Sequence, residues 1–361
     1  RRVTVAACAL AAGRMTTEAM SDRFSFGLAP LLMRSAGLWR KTLLQSVAQR
    51  LAPQRQAALC GGCAPTASHP CDVGDAAGEG GRHRPRLTFR AAGLTAPRPG
   101  RLCEDAFFVA SWALGVADGV GGMAQFRHLG VDARAYAEEL MRRSEFALRG
   151  GASCIGALAH AEREATSYGA STATLVRVGG GEIFAASLGD SGFMVLRRGF
   201  DDPAAKFSIV ARSSEQLHRW NFPYQLSRLP QTLEETVPEG APRDSAESAD
   251  SYQVVARRGD LVLLFTDGFS DNVYDREALN VLSRLSVAAR DRGGNDEATW
   301  SHPAEIDPAV IAAELVDLAL KKSRDRSTEC PFADRALQSG NGRLGGKEDD
   351  ITVVAAWVHL C

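Results

Sequence analysis

The sequence predicts an α+β fold over residues 87–361, a β-sandwich of two antiparallel sheets flanked by α-helices. Short apolar runs typical of strands are numerous, and they outnumber the segments with helical periodicity. Glycine-rich turns join several of these runs closely enough for hairpins. The helical segments occur in blocks instead of following each strand, so a parallel sheet built from strand–helix–strand units is not expected.

The elements can be placed in chain order. Apolar runs predict strands beginning near residue 87 and at 106–110, 112–117, 171–178, 182–188, 193–196, 207–210, 252–256, 261–265 and 351–358. Apolar residues at helical spacing predict helices at 128–149, 153–167, 275–290 and 308–322. Polar segments with glycine or proline predict surface loops at 237–250, 291–307 and 323–348.

The charge is distributed unevenly. Residues 1–100 carry 14 Lys and Arg against 5 Asp and Glu, and no acidic residue stands between Phe24 and Cys71. A basic, acid-poor segment rich in Ser and Ala is typical of an organelle transit peptide, although an untargeted basic tail has the same composition. We therefore expect a disordered leader and linker over residues 1–86 and one folded domain over 87–361. Mitochondrial import is favoured, and a plastid or cytoplasmic location is the alternative.

Composition also bounds the partners. The excess of acid in residues 101–361 disfavours nucleic-acid binding. No apolar run reaches the roughly 18–20 residues that a membrane-spanning helix needs. The eight cysteines are too dispersed for a disulfide framework, and Cys60-x-x-Cys63 has no second pair to complete a zinc site. We expect reduced thiols, no membrane span and a monomeric protein.

Acidic clusters at predicted strand ends are the main functional signal. They are Glu104-Asp105, Asp118-Gly119, Asp190, Asp267-Gly268 with Asp271, and Asp349-Asp350. Carboxylates that gather at one place repel each other unless a cation lies among them. Clusters made of carboxylates offer oxygen ligands, which favour Mg²⁺ or Mn²⁺. The pattern predicts a metal-dependent hydrolase, in which two cations would lower the pKa of a water and neutralise phosphate oxygens.

Residues 87–361 resemble the metal-dependent type 2C serine/threonine protein phosphatases, and most closely their short mitochondrial-type branch. The resemblance rests on phrases that occur in the family's order: Glu104–Ala106, Ala117–Gly122, Gly169–Ala173, Leu188–Gly192, Phe222–Ser227, Phe265–Gly268 and Gly345–Val353. It implies two stacked antiparallel sheets, a Mn²⁺ or Mg²⁺ site for two ions or three, and phosphoproteins as substrates.

The resemblance also implies roles for individual residues. The implied metal ligands are Asp118, Asp267, Asp349, the carbonyl of Gly119, Asp105, Glu104, and, for a weaker third ion, Asp190 and Asp271. Asp118 and Asp267 would be central to catalysis, and Arg101 is the counterpart of a phosphate-holding arginine, one residue closer to the Glu-Asp pair than in many relatives. Val120 stands where many relatives have a histidine as general acid. Two alternatives stay open, a catalytically silent binding protein with the same fold and a metal-dependent phosphatase of small metabolites.

Other phosphatase chemistries find little support. The spacing Cys-x₅-Arg occurs only from Cys8 to Arg14, in the predicted leader, and no Asp-x-Asp occurs anywhere. A cysteine nucleophile or an aspartyl-phosphate intermediate is therefore not expected.

Overall fold

A computed structural model describes residues 86–199, 206–238, 240–292 and 306–360. All of them fall within one unit of the chain, His69–Cys361. The predicted leader and the Cys60-x-x-Cys63 motif lie outside the described residues. The domain boundary at residue 86 therefore remains a prediction.

The described strands and helices are as follows. The strands are β1 (Leu87–Ala96), β2 (Asp105–Val109), β3 (Ala113–Asp118), β4 (Gly169–Ser171), β5 (Ala173–Gly179), β6 (Glu182–Leu188), β7 (Gly192–Arg198), β8 (Phe207–Arg212), β9 (Leu217–Arg219), β10 (Phe222–Pro223), β11 (Leu226–Arg228), β12 (Asp250–Val255), β13 (Leu261–Phe265) and β14 (Ile351–Leu360). The α-helices are α1 (Ala133–Arg149), α2 (Cys154–Glu164), α3 (Gln231–Glu234), α4 (Asp267–Ser270), α5 (Asp275–Arg292), α6 (Pro308–Arg324) and α7 (Pro331–Gln338), and 3-10 helices span Gly121–Leu129 and Ala246–Ser248.

The strands form two five-stranded antiparallel sheets. The first sheet has the order β1-β14-β13-β7-β8, and the second has the order β12-β6-β5-β3-β2. Two short pairs, β9 with β10 and β11 with β4, lie outside them. The hairpin predicted at Gly179–Gly181 is confirmed, because β5 pairs with β6 and Gly179 faces Glu182 in the register. The predicted antiparallel α+β sandwich is confirmed.

Alternation along the strands builds three layers of core. Leu264 of β13 and Val116 of β3 belong to one buried cluster that includes both sheets. The next residue back along β13, Leu263, points the other way and shares a cluster with Leu282 of α5 and Leu315 of α6. A third cluster joins the second sheet to α1 and α2. All five side chains of β13 are buried, and full burial of such a side chain contributes about 1.5–3 kcal/mol.

Several details of the sequence prediction were wrong. The strand predicted at 171–178 is divided into β4 and β5, and the helix predicted at 153–167 ends at Glu164. Residues 331–338, predicted as part of a loop, form α7, because Phe332, Ala333 and Ala336 are buried on one side of this short helix. The helix predicted to begin at residue 128 begins instead at Ala133, where the Asp132 side chain accepts a hydrogen bond from the backbone N–H of Ala135 and caps the helix.

Candidate metal centre

The two sheets bring the acidic clusters to one end of the sandwich. Asp105 begins β2 and faces Asp118, the last residue of β3, in the register of the second sheet. In the first sheet β13 ends at Phe265, directly before Thr266 and Asp267. Its partner β14 begins at Ile351, directly after Asp350, and runs antiparallel to β13. The starts of β2 and β14, at Asp105 and Ile351, are thereby placed together although they lie 246 positions apart in the chain.

Three of the predicted ligands form a compact group. Carboxylate oxygens of Asp118, Asp190 and Asp267 all lie within 4.8 Å of one another. Among the described residues, Oδ1 of Asp190 and Oδ1 of Asp267 are buried and accept no hydrogen bond, and the same holds for Oδ1 of Asp105. Buried charged oxygens without partners are costly unless a cation coordinates them. The all-oxygen donor set therefore fits a hard divalent cation such as Mn²⁺ or Mg²⁺.

The electrostatics of this group favour a cation. Burial raises the pKa of Asp118, and the nearby charges of Asp267 and Asp105 raise it further. Burial and the charge of Asp267 likewise raise the pKa of Asp190. A divalent cation would reverse both effects, because it stabilises the charged form of each carboxylate.

Asp105 is fixed by two hydroxyl groups, one from β14 and one from the residue that follows β13. Its Oδ2 accepts hydrogen bonds from Oγ1 of Thr266 at 2.9 Å and from Oγ1 of Thr352 at 2.7 Å. Burial raises the pKa of Asp105, and these two hydrogen bonds oppose the rise. One carboxylate oxygen is thus held in place while Oδ1 remains available, an arrangement that orients the side chain toward the cluster.

Two glycines allow the backbone segments to approach each other closely. A Cβ at Gly119 would lie 2.7 Å from the carbonyl oxygen of Glu104 and 2.9 Å from that of Ala133. A Cβ at Gly268 would collide with the carbonyl oxygen of Asp350. The Asp-Gly phrases after β3 and β13 therefore need glycine for packing, and this packing positions Asp118 and Asp267.

A hydroxyl network supports the backbone of Asp118. The Ser171 hydroxyl donates to the Asp118 carbonyl at 2.9 Å, and the Asp118 N–H donates to the Thr172 hydroxyl at 3.3 Å. The Thr172 and Ser191 hydroxyls are 2.6 Å apart. Ser191 directly follows Asp190, so one buried network holds the segments that carry two of the three clustered carboxylates.

Lys347 and Arg335 are site residues that the sequence did not single out. The Lys347 ammonium donates to Asp267, to Oδ2 of Asp271 at 2.6 Å, and lies 3.2 Å from Oδ2 of Asp349. Arg335, on the unpredicted helix α7, donates to Oδ1 of Asp271. Asp271 and Asp349 therefore join the cluster through Lys347. The lysine stands within a phrase that carried the family resemblance, but its spacing alone gave no sign of this contact.

The remaining acids have distinct environments. Burial and the charge of Asp350 raise the pKa of Glu104, and Arg127, with Nη2 3.8 Å from Oε1, opposes the rise. Asp350 is not one of the three clustered carboxylates, and its two oxygens accept backbone N–H groups of Arg98 at 2.7 Å and Glu104 at 2.8 Å. It thus serves to join the loop before β2 to the start of β14.

Arg101 is exposed in the bend that precedes β2. Its positive charge opposes the rise in the pKa of Glu104. The contact of its guanidinium with a phosphate remains a prediction. Val120 lies between Gly119 and the 3-10 helix, and its N–H donates to the carbonyl of Ala170 at 2.8 Å.

The chain is similar to several known proteins. Probable protein phosphatase 2C 55 of Arabidopsis thaliana is 35% identical over 261 residues, which cover 71% of this chain and 48% of that protein, so the match spans about half the length of the plant relative. Protein phosphatase PTC7 homolog fig of Drosophila grimshawi is 36% identical over 277 residues, which cover 72% of this chain and 80% of that protein. No model of a protein family matches the chain.

A solved structure agrees with these relatives. The X-ray structure of the photosystem II phosphatase PBCP superposes with a TM-score of 0.58 at 26% identity, and the match covers 74% of this chain and 98% of that one. The similarity to the fly phosphatase extends over most of that protein's length. The chain belongs to the metal-dependent type 2C family of serine/threonine protein phosphatases.

Proposed function

We propose that this protein is a Mn²⁺- or Mg²⁺-dependent protein phosphatase that hydrolyses phosphoserine and phosphothreonine. One observation carries the proposal. Asp118, Asp190 and Asp267 converge from three separate segments, with ligand oxygens within 4.8 Å of one another. Oδ1 of Asp190 and Oδ1 of Asp267 are also buried without a hydrogen-bond donor. Membership in the type 2C family and the names of the relatives support the same activity.

The residues divide the work as follows. Asp118, Asp267 and Asp349 would hold the divalent cations, together with the carbonyl of Gly119. Asp105 is held in place by its two threonine donors. The bound cations would supply positive charge to the phosphate oxygens and lower the pKa of a water. Arg101 would hold the phosphate from the solvent side.

Proton supply differs from that expected for relatives with a histidine after the Asp-Gly pair. Val120 can neither donate nor accept a proton through its side chain. The proton for the departing serine or threonine oxygen must then come from water or from another side chain. Substrates with acidic leaving groups need no such proton and are expected to react faster.

Turnover by the full chain tests the activity. We expect hydrolysis of a phosphothreonine peptide with Mn²⁺, loss of hydrolysis with EDTA, and loss with Asp118→Asn. Asp317→Asn is a matched control, because Asp317 lies on α6 with a side chain that is 58% exposed and is paired with Lys321. Equal turnover in all conditions would reject the proposal. Preference for phosphorylated metabolites over phosphopeptides would favour the small-molecule alternative, and metal binding without turnover would indicate the silent one.

We also propose a mitochondrial destination and a monomeric state. The basic, acid-poor composition of residues 1–86 supports import. A fusion of residues 1–86 to a fluorescent protein should reach mitochondria, and plastid or cytoplasmic fluorescence would contradict the assignment. Light scattering coupled to size-exclusion chromatography should give the mass of one chain, and the mass of a dimer would contradict a monomer. Among the described residues, no helix has both the length and the apolarity needed to cross a membrane.

A further inference from the structure

A cavity of about 350 Å³ lies at the start of helix α5, beside the carboxylate cluster. Its volume is within the range of ligand-binding sites. The polar residues that line it are Arg212, Arg276, Arg335, Asp275, Tyr274 and Ser270. Three positive charges against one negative charge leave this lining with an excess of positive charge, which favours an anionic ligand.

Two lining residues connect the cavity to the proposed metal site. Arg335 lines the cavity and donates through Nη2 to Oδ1 of Asp271, and through Nη1 to Oε1 of Glu215 at 3.0 Å. Ser270 belongs to helix α4, which begins at Asp267. Three residues along a helix correspond to a rise of about 4.5 Å. The cavity is therefore a neighbour of the site where a phosphate would be hydrolysed.

The other two arginines have N–H donors to offer. Arg212 donates through Nε to Asp275 at 3.0 Å and through Nη1 to the carbonyl of Ser213 at 3.2 Å. A guanidinium has five N–H donors, so Arg212 keeps others for a ligand. Arg276 is exposed, and its guanidinium lies 4.4 Å from the centroid of the Tyr274 ring. Guanidinium groups bind carboxylates and phosphates through pairs of such donors.

A buried hydroxyl and a helix terminus add to this preference for an anion. Ser270 is 4% exposed, and among the described residues its Oγ is buried without a hydrogen-bond partner. Such a hydroxyl is costly to bury, and an anion that accepts its proton would offset the cost. The cavity also lies at the N-terminus of the 18-residue helix α5, where the helix dipole attracts negative charge.

We propose that this cavity is a specificity subsite for an anionic side chain of the substrate, either a carboxylate or a second phosphate. An extended peptide rises about 3.3 Å per residue, so a side chain two to four positions from the phosphorylated residue reaches a neighbouring cavity. The anion would pair with Arg276 and Arg212, while Arg335 stays with Asp271. This inference rests on the proposed function, because it takes the carboxylate cluster to be the place of hydrolysis.

A panel of phosphoserine peptides tests the inference. The full chain with Mn²⁺ would be given peptides whose flanking residues are alanine, with one Glu placed at each nearby position in turn. A second series would carry a non-hydrolysable phosphonate analogue of phosphoserine instead of Glu. We expect one position at which an anion lowers KM about tenfold with little change in kcat, which is the size of a charge-assisted hydrogen bond. A gain with Glu would indicate acidic substrates, and a gain with the phosphonate alone would indicate multiply phosphorylated ones; either result supports the inference.

Two arginines on the same helix provide the variant and its control. Arg276→Gln should abolish the gain in KM and leave the kinetics of the all-alanine peptide unchanged. Arg284→Gln is the matched control and should keep the gain, because Arg284 is 67% exposed and paired with Glu314 on α6. Should Arg276→Gln fail to fold, Arg212→Gln decides by the same criteria.

A binding measurement does not depend on turnover. Fluorescence anisotropy would follow a labelled peptide that carries the favoured anion and an unphosphorylated serine, added to the metal-free full chain. Arg276→Gln should bind it about tenfold more weakly than the wild type. Equal affinities, or no measurable binding by either protein, would count against the inference.

The outcomes separate the inference from the proposed function. A gain in KM that is the same in Arg276→Gln, or no gain with either anion at any position, would overturn the inference and leave the phosphatase activity intact. No hydrolysis of any peptide by the wild type would instead overturn the proposed function, on which the inference rests.

Discussion

Glu139 on α1 accepts hydrogen bonds from the segment that leads into β4, the strand whose Ser171 contacts Asp118. Its replacement by glutamine should lower the free energy of unfolding by an amount that depends on pH. Its Oε2 accepts the backbone N–H groups of Thr166 at 2.9 Å and Ser167 at 2.8 Å, and its Oε1 accepts from Arg143 at 2.7 Å. The side chain is 8% exposed. These contacts hold the segment that leads into β4, where Ser171 bonds to the Asp118 carbonyl.

The magnitude follows from the pKa. Burial alone would raise the pKa of Glu139, but the hydrogen bonds from Ser167, Thr166 and Arg143 outweigh it and lower the pKa from 4.5 to about 2. A shift of this size corresponds to about 3 kcal/mol of stabilisation when the carboxylate is charged in both states. The unfolded chain binds the proton more tightly, so the stabilisation is complete above the unfolded pKa and is lost as the pH falls toward 2. Between pH 5.5 and 3.5 the wild type should lose about 1 kcal/mol of it.

Urea denaturation across this pH range is the assay. Glu139→Gln should reduce the free energy of unfolding by up to about 3 kcal/mol at pH 7, and the difference from the wild type should shrink as the pH falls. Glu138→Gln is the control on the same helix, because the Glu138 side chain is 53% exposed and its pair with Arg134 should contribute less than about 1 kcal/mol. A difference that stays constant or grows at low pH would refute the reasoning.

Three further predictions concern positions around and away from the site. Gly119→Ala should lower the free energy of unfolding by about 1–3 kcal/mol, because its methyl group would press on two carbonyl oxygens; a melting temperature equal to that of the wild type would contradict this. Asp260→Asn should lower the free energy of unfolding by about 3 kcal/mol in urea denaturation and leave kcat at low temperature unchanged. The reason is that Asp260 is 1% exposed and accepts two hydrogen bonds from Arg197, at 2.7 and 2.8 Å. A decrease smaller than about 1 kcal/mol would count against this prediction. Val120→His should raise the turnover of phosphoserine peptides by up to the roughly 100-fold that a positioned acid contributes. Its effect on the turnover of p-nitrophenyl phosphate should be smaller, because that leaving group needs no proton. Equal effects on both substrates would argue against proton supply as the limiting factor.

The sandwich and the gathering of acids were predictable because they depend on local patterns. An unbroken apolar run such as Leu261–Phe265 predicts a buried strand, and a buried strand carries the Asp that follows it to the edge of the sheet. β6 has the predicted bounds, since Gly179–Gly181 precedes it and Gly189 follows it closely. Repetition of the same Asp-Gly ending at Asp118 and Asp267 then indicated one shared site.

Contacts set by the paths of loops could not be predicted from such patterns. Lys347 reaches the carboxylates because Asn272, 75 residues away, binds its backbone. Arg335 lies on a helix too short for its periodicity to stand out, and that helix forms because Phe332 and Ala336 are buried. Of the two threonines that hold Asp105, Thr352 lies in β14 of the other sheet and Thr266 directly follows β13, and strand patterns do not specify these contacts.

The location of bound metal tests the central claim most directly. Crystals grown or soaked with Mn²⁺ should show anomalous difference density at coordination distance, about 2.0–2.3 Å, from the carboxylates of Asp118 and Asp267. Density confined to other surfaces at saturating Mn²⁺, or carboxylates of Asp118 and Asp267 that point to separate parts of the molecule, would contradict the account.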